Sequence, residues 1–167
     1  MKAVVLNGTR KSERTSWPVD EILVSTLEQA GCRIEVFVLR EEEIADCKGC
    51  FGCWTQSPGV CQVNDSGRAV ARAIMHSDLA VFLTPVTFGG YSSDLKKAVD
   101  RLIPSIAPLL LRMEEADEPL FNEKSPRLLG VGLMEREDPE GERLFHSLVR
   151  RNAATFHSPA HAAGVVM

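Results

Sequence analysis

Residues 79–102 read LAVFLTPVTFGGYSSDLKKAVDRL, and this stretch sets the class of the fold. LAVFL, led in by Asp78, is an unbroken apolar run of strand length, the pattern of a strand buried on both faces. Pro85 and the pair Gly89-Gly90 then mark a loop. Ser92 or Ser93 can cap the helix that follows, in which Leu95, Ala98, Val99 and Leu102 recur at helical spacing. The unit is a buried strand, a glycine-bearing loop and an amphipathic helix.

The flanking sequence repeats this alternation. KAVVLN (residues 2–7) is a short apolar run ending in Asn-Gly, the signature of a buried strand that feeds a loop. From Pro18 to Ala30, the residues Val19, Ile22, Leu23, Thr26, Leu27 and Ala30 share one helical face, with Pro18 suited to the first helical position and Gly31 to the stop. RIEVFVL (residues 33–39) is a second strand, and Asp65 or Ser66 can cap a helix over about Gly67 to His76. Leu128 to Met134 supplies a fourth strand, Leu144, Phe145, Leu148 and Val149 mark a fourth helix, and His161 to Met167 reads as a fifth strand. Strands alternating with helices predict crossover connections, hence one α/β domain over residues 1–167 with a parallel sheet and helices on both faces.

Composition narrows the function. The chain has 167 residues, 44% hydrophobic and 25% charged, enough apolar material for a sizeable core. Nineteen Lys plus Arg against 23 Asp plus Glu leave a net charge of -4, so no overall field favours nucleic acid or anionic lipid. No stretch reaches the ~20 unbroken apolar residues of a membrane span, since Leu102 to Leu111 is broken by Pro104, Ser105 and Pro108. The opening MKAVVLNGTR turns polar too early for a signal peptide, and five cysteines, an odd number, suit the reducing cytoplasm. Four of the five, Cys47, Cys50, Cys53 and Cys61, form a C-x2-C-x2-C-x7-C segment.

In open parallel sheets, ligands lie beyond the carboxyl ends of the strands where the strand order reverses. The loop after the first strand, Asn7 to Ser16, offers hydroxyls, basic side chains and a helix N-terminus, which together suit a phosphate; a solvated polar loop is the alternative. The loop Thr84 to Tyr91 has glycines that admit close approach and two aromatics, Phe88 and Tyr91, which either pack on a planar ligand or fold into the core. Asp100-Arg101, at the end of the third helix, reads as a pair or a cap rather than as catalytic groups.

The first loop resembles the G-S-x-R-x-x-x-N-T phosphate loop of NADPH-dependent FMN reductases of the flavodoxin-like superfamily, one residue shorter between Thr9 and Arg10. PVTFGGYSSDLKKAVDR resembles that family's P-v-Y-f-g-x-x-S-x-x-L-K-x-x-x-D-R block, with Thr87 at the aromatic position, and CKGCFGCWTQSPGVCQVND resembles its C-x-G-C-x-x-C-w segment. The resemblance implies a flavodoxin-like sandwich of five parallel strands in the order 2-1-3-4-5, here without the usual fifth helix. It implies FMN as cofactor, its phosphate on Thr9, Arg10, Thr15 and Ser16, its ribityl chain and ring bordered by Pro85, Val86, Thr87, Phe88 and Gly89. NAD(P)H would be the co-substrate and a small molecule or a protein the electron acceptor, with no acid, base or nucleophile named, because the cofactor carries the chemistry.

The cysteines leave two readings. They resemble the ligands of iron–sulfur flavoproteins, relatives on the same fold, and thiolates at this spacing can wrap an iron–sulfur cluster. They resemble more closely the flavin-only members, in which the thiols are structural or redox-active, and that reading is preferred. A non-catalytic interaction domain is a third functional class. The absent fifth helix leads to an expected homodimer or higher oligomer that covers the flank of Ala162, Ala163, Val165 and Val166.

Overall fold

A computed structural model describes residues 1–10, 18–105 and 125–167. Five parallel strands, β1 (Lys2–Asn7), β2 (Arg33–Val38), β3 (Leu79–Pro85), β4 (Arg127–Leu133) and β5 (His161–Val166), form one sheet in the order β2-β1-β3-β4-β5. This is the flavodoxin-like order expected from the sequence. Between the strands lie α1 (Val19–Gln29), the four-residue α2 (Gly52–Thr55), α3 (Ser66–Met75), α4 (Ser93–Asp100) and α5 (Pro139–Thr155).

Strand alternation divides the core in two. On one face Val4, Leu6, Ala80, Phe82 and Leu128 pack against Val70 and Ile74 of α3, Leu95 and Val99 of α4, and Phe145 and Val149 of α5. On the other, Val5, Val81, Leu83 and Leu133 pack with Val19, Leu23 and Leu27 of α1. Residues two apart in a strand share a face, so a run such as LAVFL is apolar throughout because it serves both cores. Gly130 and Gly132 of β4 let α5 settle onto the sheet: a Cβ at Gly130 would stand 2.5 Å from Val149 Cγ2, and one at Gly132 would stand 3.1 Å from Phe145 Cε1.

The caps resolve the alternatives in the sequence. Asp65 rather than Ser66 accepts the Gly67 N–H at 3.0 Å at the start of α3, and Ser92 rather than Ser93 accepts the Leu95 N–H at 3.3 Å at the start of α4. Two details differ from expectation. Pro18 precedes the first helical residue instead of occupying it. Along α1 only Val19 is buried, and Ile22 is 47% exposed; α1 is the only described helix that contributes to the core on its face, with none beside it to cover its flank. Helix α5 starts at Pro139, capped by Asp138, several residues before the first apolar marker; Pro at the first turn loses no hydrogen bond there.

Phe145 is fully buried and edge-on to Tyr91, so Phe145→Ala should lower unfolding free energy by about 3–5 kcal/mol. Urea titration followed by far-ultraviolet circular dichroism measures this; a loss below 1 kcal/mol would contradict the packing described.

Candidate functional site

The carboxyl ends of β1 and β3 meet where the strand order reverses. Asn7, buried at the end of β1, turns its side chain onto the next loop: Oδ1 accepts from the Thr9 N–H at 3.0 Å and from the Thr9 hydroxyl at 2.7 Å. Gly8 donates its N–H to Leu83 O at 2.8 Å and runs tight against the start of α4, where a Cβ would stand 2.7 Å from Ser92 Oγ and 2.9 Å from Leu95 Cβ. Only glycine fits this passage. Two guanidinium groups flank it: Arg10 donates from Nη2 to Ser93 Oγ at 3.4 Å, and Arg40 donates from Nη1 to Thr9 O at 3.4 Å while pairing with Glu41 at 3.2 Å. Thr9 and Arg10 thus lie side by side at this edge, with both Thr9 donors committed to Asn7. Thr15 and Ser16 lie outside the described residues. Arg40 was not anticipated; its place just after β2, the neighbour of β1, is the signal that would have found it.

The loop after β3 is built as a rigid tip. Thr84, fully buried, accepts the Ser92 N–H on its hydroxyl at 2.9 Å, and Val86 donates its N–H to Leu133 O at 2.9 Å, tying Pro85 and Val86 to α4 and β4. Thr87 and Gly90 exchange two backbone hydrogen bonds, at 3.0 and 2.9 Å, around Phe88 and Gly89, whose φ values are 51° and 75°. Two consecutive positive φ angles mark a type I′ turn, where Asn-Gly is the usual pair. Phe88 holds its ring 99% exposed on that tip. Gly89 sits over α5, where a Cβ would stand 2.5 Å from Leu144 Cβ.

The two aromatics therefore separate. Tyr91 belongs to the core: it is edge-on to Phe82 and Phe145 and receives a hydrogen bond from Asn152 Nδ2 at 2.8 Å. Burial pushes its hydroxyl up to about 12, with the Asn152 contact opposing the shift. Of the two, only Phe88 is exposed. A backbone passage closed to any Cβ, two arginines and an exposed aromatic at one sheet edge form a cradle whose chemistry fits FMN, an anion joined to a planar ring.

The cysteine segment leaves the carboxyl end of β2. Gly49 and Phe51 take φ values of 62° and 55°, which turn the chain into α2. The Gly59 N–H donates to Cys53 O at 3.0 Å and Gln62 Nε2 to Gly52 O at 3.4 Å, so the segment folds back and brings Cys61 toward Cys53. Cys47 and Cys50 are exposed, Cys53 and Cys61 half-buried, and all are free thiols lining one cavity of about 200 Å3 beside Trp54 and Arg101. Burial pushes the Cys53 thiol up, and the sulfurs of Cys61, Cys50 and Cys47 push in the same direction. Among the described residues no three side chains of cysteine, histidine or acid stand close enough to hold a metal. Four thiols on one cavity are the donor chemistry of an iron–sulfur cluster, and ligation would have to draw the sulfurs together.

Arg101 and Asp100 do not pair with each other. Asp100 binds Lys96 on the surface of α4 at 2.6 Å, whereas the Arg101 side chain is almost wholly buried and joins Asp65 through two hydrogen bonds, at 2.7 and 2.8 Å. Arg101 also donates to Ala45 O at 2.9 Å and to Val63 O at 3.1 Å, and Asp65 accepts from the Ala45 N–H at 2.9 Å. Burial alone would raise the Asp65 carboxyl; the hydrogen bonds from Arg101, Ala45 and Gly67 outweigh it and hold the group below the usual range. Arg101 follows Ala98 by three on the buried stripe of α4, a placement legible in the sequence but not its partner, 36 positions away.

Comparison with known proteins bears on this arrangement. The model of the NADPH-dependent FMN reductase family matches residues 1–133. An iron-sulfur flavoprotein of Archaeoglobus fulgidus is 29% identical over 101 residues, which cover 60% of this chain and 48% of that protein. One of Methanocaldococcus jannaschii is 26% identical over 104 residues, covering 62% and 53% respectively. The chain thus spans about half the length of the curated relatives it matches. Among solved structures, the NAD(P)H:quinone oxidoreductase from Methanothermobacter marburgensis superposes with a TM-score of 0.71 at 13% identity, over 99% of this chain and 82% of that one. An FMN-dependent NADH-azoreductase from Bacillus anthracis in complex with FMN gives 0.64 at 12% identity, over 99% and 86%. These two establish likeness of fold.

A left-handed phenylalanine is unfavourable, so Phe88→Asn, which creates an Asn-Gly turn, should stabilise the protein by about 1 kcal/mol. A urea midpoint equal to or below that of the parent protein would show that the turn carries no strain.

Proposed function

From the premise that this chain belongs to the NADPH-dependent FMN reductase family, we propose that it is an FMN-dependent NAD(P)H oxidoreductase that passes electrons to a small-molecule or protein acceptor. The observation that carries this reading is the convergence of the Gly8 passage, Arg10, Arg40 and the exposed Phe88 at the one place where the strand order reverses. A bound flavin supplies acceptance of reducing equivalents from a nicotinamide and their transfer onward. The protein binds and orients. Arg10 and Arg40 offer charged donors to the phosphate, with Thr15 and Ser16 proposed beside them, and the absence of a side chain at Gly8 lets the backbone close on it. Pro85 to Gly89 form the wall along the ribityl chain and ring, held firm by the bonds to β4 and α4. No acid or base is required of this chain.

A second reading, an iron–sulfur flavoprotein that carries electrons, is favoured by the four cysteines on one cavity and by relatives of that name. Iron and sulfide assays on protein purified without oxygen separate the two. Five free thiols suit a cytoplasmic setting, and a homodimer would cover exposed apolar side chains such as Ile22, Val36 and Val166.

Quenching of FMN fluorescence should show binding, and NADH or NADPH should bleach the bound flavin. Arg10→Met should weaken binding ten- to one-hundred-fold, the loss of about 1.5–3 kcal/mol that a charge-assisted bond contributes. No FMN binding by the parent protein would end the flavin reading; equal affinities would remove Arg10 from the site.

A further inference from the structure

The buried Arg101 does two things that a simple ion pair does not require. Its two terminal nitrogens bond to the carbonyls of Ala45 and Val63 as well as to Asp65. Ala45 lies two residues before Cys47 and Val63 two residues after Cys61, so one side chain clasps both ends of the segment that bears all four cysteines. Its third donor, Nε, is buried and has no hydrogen-bond partner among the described residues. A buried N–H without an acceptor is unfavourable, and such a group in a native structure calls for an explanation.

The explanation lies in the cavity. Arg101 forms part of its wall together with the four cysteines, and Cys61 lies beside the guanidinium. Asp65 balances the charge of Arg101 through the terminal nitrogens, which leaves Nε–H without an acceptor in a side chain that shares the cavity wall with Cys61. Neutral thiols are weak acceptors; a metal-bound thiolate is a strong one.

We propose that Arg101 is the positioning residue of the cysteine cavity, fixing the two ends of the cysteine segment and donating Nε–H to the sulfur of Cys61 when that sulfur holds a thiophilic metal as a thiolate. This rests on the reading of the cysteines as a ligand site, and it is independent of whether the flavin is bound. Hydrogen bonds to ligating sulfurs orient the ligand and tune the metal, so the loss of this donor weakens the site without touching a ligand.

The test uses Cd2+ alone as probe, added without oxygen to the full chain with reduced thiols and followed by the ultraviolet thiolate-to-metal absorption. Arg101→Lys keeps a cation for Asp65 but can neither span both carbonyls nor present Nε–H. It should bind Cd2+ at least tenfold more weakly, in line with the 10–100-fold cost of removing such supporting partners, while FMN affinity stays at the parent value. In a Cys61→Ser background the same substitution should have a smaller effect, because the coupled sulfur is gone. An equal factor in both backgrounds would reduce Arg101 to a purely structural part and overturn the proposal, as would unchanged Cd2+ affinity. In the parent protein, the Arg101 Nε–H proton resonance should move downfield on Cd2+ addition; a resonance that does not move overturns the proposal even if Arg101→Lys fails to fold. Absence of Cd2+ binding by a parent protein that still binds FMN would remove the cysteine site itself and leave the flavin reading intact.

Discussion

The position of β1 between β2 and β3 is the constraint from which the rest of the structure follows. Parallel neighbours demand crossovers, and a chain that first steps to one side of β1 and then to the other must send its connections over opposite faces. The loops after β1 and β3 therefore leave the sheet at one edge, the place where open parallel sheets bind ligands. Gly8 shapes that edge, since it lets the loop after β1 lie directly on the start of α4 with its N–H bonded to β3. The exposed aromatic, the two arginines and the end of β2, which carries the cysteine segment, reach the same edge because every strand runs in the same direction.

Among the described residues, two departures from the most stable arrangement bear on the proposed chemistry. Phe88 combines a left-handed backbone with a ring held in water, where Asn would serve the turn better. The bonds from Val86 to β4 and between Thr87 and Gly90 hold the turn against this cost. Presenting an aromatic in a fixed position is what orientation of a planar ring requires; a relaxed turn with a buried phenylalanine would forfeit it.

The pair of Arg101 and Asp65 is the second departure. Taking two charges out of water is costly, and an apolar pair of similar volume would often hold a core equally well, whereas removing one partner alone typically costs about 3–5 kcal/mol. The geometry here suggests what an apolar pair could not supply. The guanidinium and carboxylate together meet the N–H and carbonyl of Ala45, the carbonyl of Val63 and the N-terminus of α3, so they satisfy backbone groups of an irregular segment that has no sheet or long helix to do so. The cysteine segment owes its shape to that pair more than to its own short α2.

The strand positions, the helix faces and the class of fold were legible in the sequence because they depend on local periodicity: LAVFL is apolar throughout for two cores, and Leu95, Ala98, Val99 and Leu102 return every three or four residues for one. The order of the strands and the family were legible through motifs, as were Thr9, Arg10 and the segment from Pro85 to Gly89 as candidates for the site. Tertiary structure alone decided which aromatic faces outward, placing Tyr91 against Phe82 and Phe145 and leaving Phe88 in solvent, because the two are three residues apart in one loop with no periodicity to separate them. It alone brought Arg40 to the first loop and Arg101 to Asp65. A side chain with a long reach chooses its partner by proximity in space, and proximity between residues 36 positions apart is created only when the sheet and its helices have packed.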